Sequence, residues 1–135
     1  MVIVTRRLPV PVEEALRGCF DVRLNPDDRQ YTGAELAAAL TEADGLLCTL
    51  TDPLGGDVFA RGSARARILA NFGVGTNHIA LDSAHAAGLV VTNTPGVLTE
   101  CTADLALALM LMVLRRLGEG ERAAACGTFP RRAAV

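Results

Sequence analysis

Short apolar runs alternate with stretches of helical spacing along most of this chain. Val2, Ile3 and Val4 form the first run, and residues 12–17, behind Pro9 and Pro11, read as a short helix. Residues 20–24 alternate apolar with polar, as a half-exposed edge strand would. Asn25, Pro26, Asp27 and Asp28 make a turn. Thr32 and Glu35 then stand at the spacing of a capping box, in which each side chain satisfies the other's free backbone N–H. The helix they open is predicted over 35–43. Residues 45–50 are a continuous apolar stretch, which suits a strand buried on both faces of a parallel sheet, and 67–72 read as the next buried strand. Between them lie a loop over 51–56 and a helical turn over 57–61. Asp82 is positioned to cap a helix through Ala87, ended by Gly88, and residues 89–92 form a last strand. Thr99 is positioned to cap a long helix from Glu100 to Leu117, with a possible extension to Ala125.

Strand, helix and strand alternating at this spacing predict an α/β fold with a parallel sheet and right-handed crossovers. The alternation stops at Asn93, Thr94, Pro95 and Gly96, which marks a boundary before the long helix.

Composition narrows the class. Half of the 135 residues are hydrophobic and 21% charged, which suits a single packed domain rather than a disordered tail. Aromatics are 4% with no Trp, so the core is aliphatic. The formal charge is −2 and Lys is absent, so no basic face is available for a phosphate backbone, and nucleic acid is not an expected partner. The four cysteines (Cys19, Cys48, Cys101, Cys126) lie far apart without a CxxC pair and read as reduced, buried thiols; no metal site is expected. The N-terminus lacks the order of a signal peptide, and the longest apolar run, residues 105–114, is about half of a bilayer span. A cytoplasmic protein without membrane contact is expected.

Two strand ends draw attention as chemistry. Gly73, Val74 and Gly75 follow a buried strand at the carboxyl edge, where open α/β sheets take ligands. Glycines there allow a tight turn, and equally allow backbone N–H groups to meet an anion. The third position of a dinucleotide fingerprint is His78, and no helix follows at once. The second passage, residues 93–99, leads into a helix whose first turns carry Glu100 and Asp104. They suit the helix dipole, while the Thr99 and Thr102 hydroxyls are free to face a ligand. His85 reads as solvated. His78, beside the glycine loop, serves either packing or ligand contact, and neither has an obvious acidic partner.

The stretch 105–114 is apolar nearly all round, unlike a helix with one apolar stripe. Burying its Leu, Met and Val side chains is worth roughly 1.5–3 kcal/mol each, so five or six amount to on the order of 10 kcal/mol. That rivals the stability of a whole domain. This helix requires a cover.

Taken together, residues 67–79 (RILANFGVGTNHI), 88–104 (GLVVTNTPGVLTECTAD) and the pair Arg115 and Arg116 closely resemble the D-isomer-specific 2-hydroxyacid dehydrogenases, in their glyoxylate/hydroxypyruvate reductase branch. The resemblance runs from Val2 to about Phe129. Ala80 departs from it, standing where the family usually has Asp. It implies a flavodoxin-like, incomplete substrate-binding domain over 1–98. Residues 99–127 would open the absent Rossmann cofactor domain with one long helix that also builds a homodimer interface, and 128–135 would be an unmatched tail. It further implies hydride transfer between NAD or NADP and C2 of a small 2-keto or 2-hydroxy acid. The backbone amides of Val74 and Gly75 would hold the substrate carboxylate, Leu50 would line its pocket, and Thr102 would lie against the nicotinamide.

The family's dinucleotide loop, ribose-binding acid, clamping Arg and Glu–His pair all fall past the equivalent of Phe129. The 135-residue chain is therefore expected to be a truncated or frameshifted enzyme, inactive alone, with no cofactor bound. One alternative is a dimerisation module that pairs with full-length subunits through residues 99–117. An unrelated receiver or flavodoxin is disfavoured, because the first strand ends in Thr5, Arg6 and Arg7, with neither clustered acids nor a phosphate loop.

Overall fold

The computed structural model describes residues 1–128. Five strands, β1 (Val2–Val4), β2 (Val22–Arg23), β3 (Gly45–Thr49), β4 (Ile68–Phe72) and β5 (Val90–Thr92), form one sheet in the order β2-β1-β3-β4-β5. Every pairing is parallel. This is the doubly wound order whose direction of winding reverses between β1 and β3. The crossovers are α1 (Val10–Cys19), α2 (Gly33–Glu42), α3 (Gly56–Ala60) and α4 (Leu81–Ala86). Two further helices follow, α5 (Thr99–Leu114) and α6 (Leu117–Ala125). The chain divides into two compact units, one of Met1–Pro95 and one from Gly96 onward.

The main core of the first unit lies on one face of the sheet, although Val4 on the other face is buried too. Parallel register puts Ile3 beside Leu46 and Leu46 beside Leu69, and these side chains meet Leu36, Leu40, Val58 and Ala84 of the covering helices. Thr32 opens α2 with the capping box foreseen from its spacing, Glu35 reaching back to the Thr32 N–H at 2.8 Å.

Several expectations need correction. β4 is not buried on both faces: Ile68 and Phe72 are 41% and 46% exposed, because the packed helices cover only the side that Leu69 faces. β2 shrinks to two residues, and α1 begins at Val10 because Pro11 is tolerated in a first helical turn. Ala80, not Asp82, stands at the N-cap of α4. Leu98, not Thr99, stands at that of α5, where no side chain caps the helix. The single long helix ends at Leu114: Arg116 adopts a left-handed conformation (φ 52°) and α6 starts afresh. Gly118 and Gly120, poor helix formers, follow at once. Of the cysteines only Cys48 is buried; Cys19, Cys101 and Cys126 are exposed free thiols. Of the tail expected over 128–135, the residues from 129 onward lie outside the described ones. No helix among the described residues is long and apolar enough to cross a membrane.

Candidate functional site

The carboxyl ends of β1, β3, β4 and β5 converge on one edge of the first unit, and that edge is built in two tiers. The lower tier is a buried polar knot. Asp52, in the turn after β3, is fully buried. Its Oδ2 accepts from the Thr49 backbone N–H at 2.8 Å and from the Thr5 hydroxyl. Thr5, also fully buried, continues β1 and donates its own N–H to Leu47 O at 3.0 Å. One side chain thus ties the ends of the two strands between which the winding reverses. His78 adjoins this knot, with its carbonyl accepting from the Leu54 N–H at 3.1 Å. The Asp52 Oδ1 and His78 Nε2 atoms are buried without a partner among the described residues. Burial holds the His78 imidazole below its usual pKa, partly offset by the Asp52 charge. The ring of His78 is therefore committed inward, while His85 is exposed.

The upper tier is the 73–75 loop. β4 stops at Phe72, and the Gly73 N–H turns back onto Asn71 O at 2.9 Å. A side chain at Gly73 would press on Leu50: its Cβ would come within 2.9 Å of Leu50 Cδ2, the end of an exposed side chain that would have to shift. Leu50, 55% exposed, therefore lies across the loop, and its Cδ2 is the nearest atom to where a Cβ on Gly75 would stand, at 4.0 Å. The loop's carbonyls are all engaged. Asn71 Nδ2 donates to Gly73 O at 3.1 Å and to Gly75 O at 2.8 Å, and Asn93 Nδ2 donates to Val74 O at 2.8 Å. The N–H groups of Val74, Gly75 and Thr76 find no hydrogen-bond partner among the described residues. Three free donors beside one apolar side chain make a surface suited to a small organic anion.

Leu50, Val74 and Gly75 are thus neighbours on one loop surface. Thr102 lies in the second unit, exposed on α5, with its N–H on Leu98 O at 3.0 Å. The side chains that shape the loop, Asn71 and Asn93, were not among the residues singled out from sequence. Asn71 left a signal, being the one polar residue inside an otherwise apolar strand. No group of three or more His, Cys, Asp or Glu able to hold a metal occurs among the described residues.

An open parallel α/β sheet with an amide-lined loop at its carboxyl edge defines a domain of the doubly wound class. The family model for the D-isomer specific 2-hydroxyacid dehydrogenase catalytic domain matches residues 2–130, and the chain belongs to that family. It is 36% identical over 131 residues to a glyoxylate reductase of Thermococcus kodakarensis, a match covering 97% of this chain and 39% of the relative. Among solved structures it resembles a Thermus thermophilus protein, with 37% identity and a TM-score of 0.77 over 98% of this chain and 42% of the other. It also resembles an NADPH-dependent glyoxylate/hydroxypyruvate reductase of Sinorhizobium meliloti, solved with NADP and malonate. There the identity is 30% and the TM-score 0.76, over 99% of this chain and 40% of the other. The chain spans about two-fifths of the length of these proteins.

Proposed function

We propose that the 73–75 loop receives the carboxylate of a small 2-keto or 2-hydroxy acid of the glyoxylate or hydroxypyruvate type. The backbone N–H groups of Val74 and Gly75 are its donors, and Leu50 bounds the pocket on the apolar side. The observation that carries this reading is the loop itself, with its carbonyls all engaged and its N–H groups free. Charge-assisted bonds from backbone N–H to a carboxylate are about twice as strong as neutral ones, so even an exposed loop gains affinity from them.

Family membership supports an oxidoreductase role, with NAD or NADP supplying or accepting the hydride at C2. The 73–75 glycines are not expected to cradle that dinucleotide. They lead into a turn and the six-residue α4, not into a long helix opened by a glycine loop. Thr102 is assigned one contact on the nicotinamide side, and the 135-residue chain alone is expected to bind no cofactor and to be inactive.

Isotope-edited NMR of the chain titrated with glyoxylate tests the carboxylate reading. Saturable shifts centred on Val74 and Gly75, lost in Gly75→Pro, are expected; shifts scattered over the surface, or none, would overturn it.

A second reading concerns α5, and one observation favours it. Leu105, Leu109, Met112 and Val113 are all exposed, Val113 at 76%, on a helix with no buried residue. We infer that α5 pairs with a second copy. Light scattering is expected to give a mass above 14.1 kDa that falls to the monomer value in Leu105→Glu/Leu109→Glu. A monodisperse wild-type monomer would sink this reading.

A further inference from the structure

The loop's free N–H groups owe their direction to two side chains and, at the Gly73 carbonyl, to the Thr94 backbone N–H as well, which donates there at 3.1 Å. All peptide bonds among the described residues are trans, and in a trans peptide the N–H points opposite to the C=O of the same unit. Holding the carbonyls of residues 73, 74 and 75 therefore fixes the N–H groups of residues 74, 75 and 76. Each is turned away from the carboxamide that grips its own peptide. Asn71 grips two of the three peptides and Asn93 the one between them.

Asn71 is built for this. It is 3% exposed, and both hydrogens of its Nδ2 go to the loop rather than to neighbouring strands. Its Oδ1 accepts from the Cys48 Sγ at 3.8 Å, on the residue facing it across the β3–β4 ladder. Burial pushes that thiol up to about 12, so it remains a protonated donor at any working pH. The thiol and the two carbonyls together leave the carboxamide one satisfied orientation. Turning it over would set its oxygen against two carbonyl oxygens and leave its NH₂ facing a sulfur.

We propose that Asn71 and Asn93 are positioning residues of the carboxylate site: they turn the Val74, Gly75 and Thr76 N–H groups outward and hold them there before the acid arrives. Thr76 thereby joins Val74 and Gly75 as a third donor. The inference rests on the carboxylate reading for its purpose, but not for its geometry. A loop whose donors are already aimed forfeits less entropy on binding than one that must organise around its ligand.

The test uses the whole 135-residue chain with Asn71→Asp and Asn93→Ala, and glyoxylate as the probe. Asn71→Asp keeps the shape but sets carboxylate oxygens against the Gly73 and Gly75 carbonyls. Asn93→Ala alters an exposed residue and leaves the core intact. In ligand-free protein, the Asn71 side-chain NH₂ should exchange with water at least about tenfold more slowly than that of the exposed Asn77. Both variants should move the Val74, Gly75 and Thr76 amide resonances. The glyoxylate dissociation constant should rise about tenfold in Asn71→Asp and about threefold in Asn93→Ala. Asn93→Ala should do so with an unchanged far-UV melting curve, which a merely structural role would not produce. Fast exchange at Asn71, or wild-type loop resonances in both variants, would overturn the positioning role. If glyoxylate fails to bind even the wild type, the carboxylate reading falls, and the ligand-free measurements still decide the geometry.

Discussion

Two helices of this chain are built from nearly the same residues and meet opposite fates. α2 and α5 are both rich in Ala and Leu. In α2 both leucines face the core: Leu36, Ala37, Ala39 and Leu40 are buried, and of the apolar residues only the small Ala34 and Ala38 are exposed. In α5 they surround the axis, and none of its 16 residues is buried. α2 is fastened at its start by Thr32 and Glu35, whereas α5 begins at Leu98 with no side-chain cap. The difference teaches that apolar content alone does not place a helix. Its angular distribution says how many neighbours it needs, and α2 needs one sheet while α5 needs cover on several sides.

The sharpest way to break this comparison is to truncate one leucine in each. Leu36→Ala, at a fully buried position, should cost about 2–5 kcal/mol. Leu109→Ala should cost the dilute, unassociated chain no more than about 0.5 kcal/mol. Urea unfolding followed by circular dichroism at low protein concentration measures both. Equal losses would mean that α5 is packed as fully as α2.

The helix starts give a smaller contrast. Thr32→Ala removes a cap in which Thr32 Oγ1 accepts from the Glu35 N–H at 3.3 Å and Glu35 answers at 2.8 Å, so about 1 kcal/mol should be lost. Thr99→Ala removes no cap, and the same melting experiment should leave stability within about 0.3 kcal/mol of wild type.

Acid titration gives the smallest effect and sharpens the picture of how α2 is fastened. Arg29 and the Thr32 N–H hold the Glu35 carboxyl down from 4.5 to about 2, and Arg6 does the same for Asp28, from 3.8 to about 2. A carboxyl held below its unfolded value stabilises the fold above that value, and the contribution disappears as pH falls toward about 2. His78, held below its usual 6.5 by burial, adds an earlier step: the unfolded chain takes up its proton first, so stability falls as pH drops below 6.5. Urea midpoints measured from neutral pH downward should decline in these two stages. In Arg29→Met the acid stage should shrink, because Glu35 then titrates nearer to 4.5.

Much of the fold could be read in advance because every strand but the alternating β2 was a largely apolar run near turn residues, and because Thr32 and Glu35 announced their helix. The order of the strands could not, since register depends on partners twenty or more residues away. The starts of α4 and α5 were misplaced for one reason: Asp82 and Thr99 are good capping residues one or two positions too late, and the chain entered helical geometry before reaching them. The 73–75 loop was visible through its glycines. Its carriers were not: an amide side chain gains meaning only when the carbonyls it meets are known, and Asn93 is distant in sequence from the Val74 carbonyl it holds.

The strand order also bears on how the chain folds. β1 pairs locally only with the two-residue β2, too little for a stable ribbon. Its other neighbour, β3, begins with Gly45 beside Val2. A lasting sheet therefore waits for β3, and growth then runs outward through β4 and β5. Such non-local pairing slows assembly and leaves the early strands exposed until their partners arrive.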